Sequence, residues 1–245
     1  MRTVGIVQAR MTSTRLPGKI LMKVLGKPLL QYELERLKRV PSLDELVVAT
    51  TVNAADDPVA ALCGQMGVAS YRGSELDVLS RYHEAAVLYK AEAVVRFTAD
   101  CPLIDPGLSD RVIRRFLESG GELDYCSLNI GDAYPRGMDT EVFSAAALAE
   151  SFREGTTEPD REHVTYFIRG CPERYRRLRM RGDSDKNRSA YRLTVDTPED
   201  FALVSKIIET LYPQNPDFAI EDIIALLEAD PELAKINAEV RQKGI

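Results

Sequence analysis

A basic segment near the N-terminus carries side chains suited to binding a polyphosphate. It reads QARMTSTRLPGKIL, residues 8–21, and it follows the short apolar run VGIV. Arg10 and Arg15 each offer a planar fork for two oxygens, Lys19 offers a compact charge, and Ser13 adds a hydroxyl donor. Three cations within ten residues repel one another unless an anion joins them. We therefore favour an anion site over a solvated basic loop.

The charge of the whole chain favours a local anion site over a basic face. The 245 residues carry a net charge of -6, and 44% are hydrophobic, enough for a globular core. Residues 1–32 hold six Lys or Arg and no Asp or Glu, which leaves -6 minus +6, or -12, on the rest. This balance argues against nucleic-acid binding. No apolar run approaches ~18 residues and no signal peptide is recognisable, so we expect no membrane span and a cytoplasmic protein.

Two aspartates follow apolar runs further along the chain. Asp100 lies in TADCPLIDP, directly after AVVRF, and Asp196 lies in RLTVDTPED. Open α/β sheets bind ligands outside the carboxyl ends of their strands, so both side chains are expected at that edge. Mg²⁺ uses few protein carboxylates and borrows phosphate oxygens, which makes the two aspartates candidate metal ligands. Alternatives stay open: Asp100 is as readily a loop residue, Asp196 or Thr197 can cap a helix, and Asp105 is more simply a turn or cap residue.

Two further motifs admit a functional and a structural interpretation. REHVTYFI contains Arg161 and His163, which could bind a carboxylate or hydroxyl of a sugar. By residue type alone, a structural role is favoured, with a helix cap and a histidine whose hydrogen bonds are made within the protein. The charged run RYRRLRMR, residues 174–181, is more typical of a solvated edge strand than of a binding patch.

Apolar runs alternate with amphipathic segments, which predicts an α/β fold with a mainly parallel sheet covered on both faces. The predicted strands lie at 4–9, 45–51, 68–72, 93–98, 123–128, 139–143, 175–181 and 192–195. The predicted helices lie at 28–40, 58–66, 75–90, 108–119, 159–169, 198–212, 219–229 and 231–242. The stretch from 131 to 196 is less regular, and we interpret it as antiparallel additions beside the main sheet.

Six motifs occur in an order that resembles one known family. They are QARMTSTRLPGKIL, GSELDVLSRY, RFTADCPLIDP, YPRGMDTEVFS, REHVT and LTVDTPED, and the match spans residues 3–205. The order is similar to that of the spore-coat polysaccharide SpsF group of acidic-sugar cytidylyltransferases, relatives of the CMP-Kdo and CMP-sialate synthetases. The resemblance implies a three-layer α/β sandwich with a mainly parallel mixed sheet, like the glycosyltransferase-A fold, and a small antiparallel addition.

The resemblance also implies a reaction, a cofactor and site residues. The reaction is transfer of CMP from CTP to a small acidic sugar of the 2-keto, sialate-like kind, with release of pyrophosphate and Mg²⁺ as cofactor, for surface polysaccharide biosynthesis. The triphosphate residues would be Arg10, Ser13, Arg15 and Lys19, and the metal ligands Asp100 and Asp196. The nucleoside residues would be Ser74, Asp77 and Arg81. The acceptor residues would be Arg136, Asp139, Glu141, Arg161, Glu162 and His163. The catalytic group would be Arg10, Lys19, Asp100 and Asp196.

Other functions remain open from the sequence. A glycosyltransferase is disfavoured because Asp100 is followed by Cys101 and Pro102 rather than by a DxD pair. A nucleotidyltransferase specific for another NTP, or a non-catalytic nucleotide-binding subunit, is also compatible with the motifs. We expect one domain over 1–245, in which 131–190 bind the acceptor and a second subunit of a homodimer, and 213–245 form C-terminal helices.

Overall fold

A seven-stranded sheet forms the centre of the protein in a computed structural model, which describes residues 1–130, 134–181 and 189–242. The strands, including a separate hairpin, are β1 (Thr3–Gln8), β2 (Lys23–Val24), β3 (Lys27–Pro28), β4 (Glu45–Thr51), β5 (Ala69–Gly73), β6 (Ala93–Thr98), β7 (Tyr125–Leu128), β8 (Glu141–Ser144) and β9 (Arg177–Met180). The α-helices are α1 (Leu29–Leu37), α2 (Asp57–Met66), α3 (Val78–Leu88), α4 (Pro106–Leu117), α5 (Ala145–Glu154), α6 (Glu158–Glu162), α7 (Tyr166–Gly170), α8 (Pro198–Leu211), α9 (Ile220–Ala229) and α10 (Pro231–Lys235).

The sheet has the order β5-β4-β1-β6-β8-β7-β9, and its first four strands are parallel. β8 runs antiparallel to β6 and β7, and β2 and β3 form the small antiparallel hairpin. The mainly parallel mixed sheet with an antiparallel addition is thereby confirmed. The expectation of antiparallel pairing is wrong for β9, which pairs in parallel with β7. A parallel pair needs a crossover connection, and α5, α6 and α7 carry the chain across before β9 begins.

Alternate residues of the central strands pack against helices on opposite faces of the sheet. Val7 of β1 and Val95 of β6 belong to one apolar core with side chains of α1, α2, α4, α8 and α9. Ile6 and Val94, one residue earlier in each strand, belong to a second core with side chains of α3, α5 and α7. Both faces are covered, which confirms the three-layer arrangement. Burial on both faces is also why these strands read as continuous apolar runs.

The helices between β8 and β9 differ from the sequence prediction. The helix α5 was not expected; it begins immediately after β8, where Ser144 Oγ accepts a hydrogen bond from the N–H of Ala147 at 3.1 Å and caps it. The single helix expected over 159–169 is two short helices, because the chain leaves helical geometry at His163 (φ -111°, ψ 74°). The last helix ends at Lys235 rather than near 242.

The strand expected over 192–195 is wrong. Only Arg192 makes a β-bridge, with Arg136. The N–H groups of Leu193 and Val195 donate to the carbonyls of Arg136 and Asp100, each at 2.8 Å. The segment is thus bonded to two loops rather than to a strand, and its apolar side chains fill the core beneath them.

Two predictions on domain organisation fall partly outside the described residues. The region 131–190, expected to bind the acceptor and a second subunit, includes 131–133 and 182–188, and the C-terminal helices expected over 213–245 include 243–245. No helix in the described ranges has the length and apolarity that a membrane crossing requires.

The chain order around β1 creates a crevice at the carboxyl ends of the strands. From β1 the chain passes to β4 and β5 on one side, and then returns to β6 on the other side of β1. Such a reversal leaves a crevice outside the carboxyl ends of β1 and β6, where open α/β sheets bind ligands. The basic segment follows β1 and Asp100 follows β6, so both flank this crevice.

Gly137 is required where the loop after β7 meets the 192–196 segment. Its φ is +101°, and a Cβ there would lie 2.6 Å from the carbonyl carbon of Leu193. Gly137→Ala should lower the free energy of unfolding by about 3 kcal/mol, because backbone strain and a clash with main chain add together. Urea denaturation followed by circular dichroism measures this change.

Gly64→Ala is the matched control. Gly64 lies in α2, and a Cβ there would meet no atom within 4 Å. The substitution should stabilise the protein by up to about 1 kcal/mol, because alanine has the higher helix propensity. Equal changes in the two variants would contradict the role given to Gly137.

Candidate active site

The loop after β1 is shaped so that Lys19 turns back toward the strand ends. Gly18 has φ +72°, a conformation that favours glycine, and its N–H donates to the carbonyl of Met11 at 2.9 Å. A single 3-10 turn over Lys19–Leu21 follows, and burial of Ile20 anchors it in the core. Both ends of the loop are therefore fixed, and the Lys19 side chain is buried at the crevice.

Lys19 brings the two predicted aspartates together. Its Nζ lies 2.9 Å from Asp100 Oδ2 and 2.8 Å from Asp196 Oδ1. The residue is only 8% exposed, so this three-membered contact is largely shielded from water. Asp100 and Asp196 are 96 positions apart in the sequence, yet their carboxylates converge on one nitrogen atom.

The charges of this cluster keep one another ionised. Burial alone would lower the pKa of Lys19, but the carboxylates of Asp100 and Asp196 outweigh it and raise the pKa. Burial likewise opposes ionisation of Asp100, and the Lys19 ammonium overcomes it, so the pKa of this carboxyl is lowered. Both shifts favour the charged forms at neutral pH, and the contact is an ion pair.

Asp196 is held from two sides by three cations. Its Oδ1 lies 2.8 Å from the guanidinium of Arg15 as well as 2.8 Å from Lys19, and its Oδ2 accepts from Arg192 at 2.7 Å. Arg15 comes from the predicted phosphate loop. Arg192 lies four positions before Asp196 in the sequence. The carboxylate is thus fixed in orientation, with Oδ1 facing the crevice side occupied by the basic loop.

Asp200 is a fully buried carboxylate that organises the chain around Asp196. Its Oδ2 accepts from the N–H groups of Asp196 at 2.9 Å and Thr197 at 3.1 Å. Its Oδ1 accepts from Arg192 Nε at 2.9 Å and from Asn237 Nδ2 at 2.8 Å. Thr197 is the N-cap of α8, so the Asp196 side chain is not used for capping. The Asp200 network fixes both the backbone of Asp196 and the arginine that orients its side chain.

Arg10 contacts a different carboxylate from Arg15 and Lys19, the other two cations of the loop after β1. Its guanidinium is 3.9 Å from Glu75, which also accepts hydrogen bonds from Thr12 Oγ1 and Asn53 Nδ2. Glu75 therefore joins the loops that follow β1, β4 and β5. Ser13 Oγ accepts from the N–H of Leu16 at 3.4 Å and stays within its own loop.

Arg81 is buried beneath these loops with hydrogen-bonding capacity to spare. It is 1% exposed, and its Nε and one terminal nitrogen have no hydrogen-bond partner among the described residues. Burial lowers the pKa of its guanidinium, and the charge of nearby Arg10 adds to the effect. Its stem packs against Gly73, where a Cβ would lie 2.9 Å from Arg81 Cγ. Unsatisfied buried donors are costly, so these two nitrogens are candidates for binding an acceptor.

Ser74 and Asp77, the other two predicted nucleoside residues, lie in the turn before α3. Asp77 caps the helix by accepting from the N–H of Ser80 at 2.8 Å, and Ser74 Oγ accepts from the N–H of Asp77 at 3.1 Å. Asp77 also meets Arg161 at 3.4 Å. The predicted nucleoside and acceptor segments are therefore in contact.

Glu141 lies in a buried ion pair at the centre of the sheet. It pairs with Arg96 of β6 and accepts hydrogen bonds from Tyr125 Oη and, at 2.9 Å, from Thr165 Oγ1. Burial opposes its ionisation, but the charge of Arg96 prevails and lowers the pKa of Glu141. Arg96 Nε also donates to Gln8 at 3.3 Å, which links this pair to the end of β1.

The remaining predicted acceptor residues are spread around the crevice. Asp139 accepts from the N–H of Gly137 at 2.9 Å, and its pKa is raised by burial and by the nearby charges of Glu141 and Asp100. His163 ends α6, and burial lowers its pKa. Glu162 is exposed. Arg136 lines a cavity of about 180 Å³ beside Arg192 and Asn237.

The donor set at the crevice is suited to a metal that shares its ligands with a substrate. No cluster of three or more His, Cys, Asp or Glu side chains in the described ranges could hold a metal. Two converging carboxylates can hold a metal only together with further oxygens from water or a phosphate. Mg²⁺ is commonly bound in this way. The residues present therefore fit a magnesium ion that arrives with a polyphosphate.

Sequence reasoning missed the residues that hold the candidate site residues in place. Arg192, Asp200 and Asn237 support Asp196, whereas Glu75 holds Arg10 and Arg96 holds Glu141. A partial signal existed for Asp200, because TPED has the spacing of a capping box, with the acidic residue three positions after the threonine. For Asn237, 37 positions further on, the sequence contains no comparable signal.

A family model described as cytidylyltransferase matches residues 4–228. The chain belongs to the cytidylyltransferase family. Among its relatives, the spore coat polysaccharide biosynthesis protein SpsF of Bacillus subtilis is 34% identical over 94% of this chain and 95% of its own length. The resemblance to the SpsF group is thereby confirmed.

Two other relatives extend the comparison. A cytidylyltransferase structure from Leptospira borgpetersenii is 31% identical and superposes with a TM-score of 0.90, covering 100% of this chain and 99% of that one. The 3-deoxy-manno-octulosonate cytidylyltransferase of Geobacter metallireducens is 33% identical over 46% of this chain and 44% of its own length. The fold and the family are thus shared along the chain, whereas similarity to that octulosonate enzyme covers about half of it.

Asp200→Asn should be strongly destabilising. The carboxylate receives two backbone and two side-chain hydrogen bonds, and its charge balances the buried Arg192. Removing one partner of a buried ion pair costs about 3–5 kcal/mol, because the other charge is left uncompensated. Chemical denaturation at neutral pH measures the loss in unfolding free energy.

Asp222→Asn provides a matched control at the same helix position. Asp222 is the third residue of α9, is exposed, and accepts from the N–H of Ala219 at 2.8 Å. Because it pairs with no buried cation among the described residues, its loss should cost about 1 kcal/mol or less. A small effect at both positions would remove Asp200 from its organising role.

Proposed function

We propose that this protein transfers CMP from CTP to an acidic sugar of the 2-keto acid kind, releasing pyrophosphate, in surface polysaccharide biosynthesis. The observation that carries the proposal is the contact of Lys19 with both Asp100 and Asp196 at the crevice beside β1. Cations for a triphosphate and carboxylates for its metal thus share one point. The cytidylyltransferase family and the SpsF relative support the choice of nucleotide and pathway.

Asp100 and Asp196 would hold the metal ion. Bound there, Mg²⁺ would neutralise phosphate charge and lower the pKa of an attacking hydroxyl. The chain's own contribution is orientation, because Arg192 holds Oδ2 of Asp196 at 2.7 Å, so that Oδ1 faces Lys19 and Arg15. Carboxylate oxygens are the ligands that this metal prefers.

Arg10, Ser13, Arg15 and Lys19 would hold the triphosphate. They come from one loop whose ends are fixed by the Gly18–Met11 hydrogen bond and the buried Ile20. Arginine forks and the lysine charge would oppose the negative charge that grows on the leaving pyrophosphate. Arg10 lies close enough to Arg81 for their charges to interact, and Arg15 contacts Asp196, so the two arginines would hold different parts of the nucleotide.

Arg81 would recognise the pyrimidine base. Its partnerless Nε and terminal nitrogen are donors, and a cytosine ring offers carbonyl and ring-nitrogen acceptors. Ser74 and Asp77 border the same place through the α3 cap. Base discrimination by a buried donor is strong, because a ligand without the acceptor leaves the donor unsatisfied.

The acceptor sugar would lie against the second half of the chain. Asp139 stands close enough to Asp100 for its charge to be felt, and Arg136 would offer a cation to the sugar carboxylate. Arg161, Glu162 and His163 would border it on the α6 side, with Glu141 beneath. The name of the octulosonate relative, an enzyme acting on a 2-keto sugar acid, supports this substrate class. A homodimer with contacts in the 131–190 region stays a prediction.

The reaction is an in-line displacement at the α-phosphorus. The acceptor hydroxyl oxygen forms the new bond to this phosphorus while the bond to the bridging oxygen breaks and pyrophosphate leaves with the electron pair. The hydroxyl proton passes to solvent or to the pyrophosphate. The protein supplies positioning and charge, and no side-chain nucleophile is required.

A pyrophosphate-release screen tests the proposal against its alternatives. The four NTPs would each be combined with Mg²⁺ and a panel of 2-keto sugar acids. Pyrophosphate release with CTP and one of the acids supports the proposal. Pyrophosphate release with another NTP instead would show that the enzyme uses that nucleotide. Nucleotide binding without release at any acceptor indicates a non-catalytic subunit. Consumption of a sugar nucleotide without pyrophosphate indicates a glycosyltransferase.

Asp100→Asn and Asp196→Asn should each abolish metal-dependent turnover. An amide keeps the shape of the carboxylate but removes the charge that a divalent cation requires. Pyrophosphate release at saturating Mg²⁺ is the measurement, with circular dichroism to show that the fold persists. Asp217→Asn, at a 75% exposed side chain paired with Arg39, is the control and should keep full activity. Near-normal activity of either site variant would make the metal assignment wrong.

Arg81→Met should weaken CTP binding about tenfold or more and leave tripolyphosphate binding unchanged. A lost hydrogen-bonding partner of a buried polar contact is worth about 1–3 kcal/mol, whereas the phosphates would be held by other residues. Isothermal titration with both ligands measures the split. An equal loss for both ligands would place Arg81 at the phosphates instead of the base.

A further inference from the structure

Lys19 stands where a divalent cation would have to stand. Its ammonium nitrogen is 2.9 Å from Asp100 and 2.8 Å from Asp196, through the same carboxylate oxygens that face the crevice. Magnesium–oxygen distances are about 2.0–2.1 Å, so an ion bridging these oxygens would overlap the ammonium group. Lys19 and a metal ion held by these two carboxylates would therefore compete for one position.

The contact network around this position is already balanced in charge. Lys19, Arg15 and Arg192 meet Asp100, Asp196 and Asp200, so cations and carboxylates are equal in number. A further double positive charge would have no free counter-charge in this network.

We propose that Lys19 is the counter-ion of Asp100 and Asp196 in the nucleotide-free protein and exchanges with the metal when the nucleotide binds. This inference rests on the proposed function. The triphosphate draws Lys19 and Arg15 to its oxygens, and the vacated carboxylates then accept the divalent cation. Metal and nucleotide are thereby taken up together, and the metal is excluded while the nucleotide is absent.

The exchange requires movement of side chains only. The backbone of Lys19 lies in the 3-10 turn held by the buried Ile20, whereas its four-carbon stem can rotate about several bonds. Arg15 lies in the same loop and contacts the same oxygen of Asp196 as Lys19 does, so both cations can leave that carboxylate together. Arg192 stays on the far oxygen of Asp196 and keeps that carboxylate oriented during the exchange.

The three possible roles of Lys19 predict different metal affinities for a variant that lacks it. If Lys19 only bound phosphates, its removal would leave metal affinity in the absence of nucleotide unchanged. If it only stabilised the aspartates, its removal would disorder them and weaken metal binding. Under the exchange scheme its removal strengthens metal binding without nucleotide while it lowers turnover with nucleotide.

The test measures Mn²⁺ affinity by electron paramagnetic resonance or titration calorimetry, with and without CTP. Lys19→Met should bind Mn²⁺ alone about tenfold or more tightly than the wild type, because two carboxylates lose their resident cation. CTP should tighten Mn²⁺ binding at least about tenfold in the wild type and far less in the variant. Lys23→Met, at an exposed lysine near Lys19, is the control and should match the wild type.

The outcomes separate this inference from the proposed function. A wild type that neither binds Mn²⁺ with CTP nor releases pyrophosphate would defeat the proposed function and the inference with it. A wild type that turns over, together with a Lys19→Met variant whose nucleotide-free Mn²⁺ affinity is unchanged or weaker, overturns the inference alone. If Lys19→Met does not fold, Arg15→Met takes its place. It removes the other cation on Asp196 Oδ1 and should also tighten nucleotide-free Mn²⁺ binding, and no gain there overturns the inference.

Discussion

The contact between one buried lysine and two aspartates is the interaction on which the site depends. Lys19, Asp100 and Asp196 come from three separate parts of the chain, and each would be costly to bury alone. Together they satisfy one another. Their meeting point is also where the reversal of strand order around β1 opens a crevice. The same contacts therefore stabilise the crevice and place its charges where we propose that a polyphosphate and its metal bind.

Two kinds of structure position the three charged residues. Lys19 and Asp100 follow the ends of strands, whereas Asp196 lies in an irregular segment. β1 and β6 are neighbours, which places the basic loop and Asp100 side by side. Asp196 has no strand to position it, and the Asp200 network takes over that task. Its four hydrogen bonds reach from the start of α8 to Asn237 in the C-terminal segment. Residues late in the chain are thus part of the architecture of the site.

The sequence predicts the parallel part of the sheet well, because strands buried on both faces read as apolar runs bounded by polar loops. The predicted parallel topology also places Asp100 and the basic segment at the same edge of the sheet. It fails where long-range contacts decide. The segment 192–195 looks like a strand because it is apolar, but its N–H groups bond to loops at Arg136 and Asp100. The parallel pairing of β9 likewise follows from a crossover that local sequence does not encode.

A crystal structure with CTP and Mn²⁺ would test most directly whether the cationic loop and the two aspartates form one metal–nucleotide site. Anomalous scattering locates manganese independently of the protein atoms. The account predicts one anomalous peak in contact with Asp100 and Asp196, with Lys19 turned to the phosphates. A nucleotide bound at the crevice with the manganese elsewhere, or with Lys19 still between the two carboxylates, would contradict it.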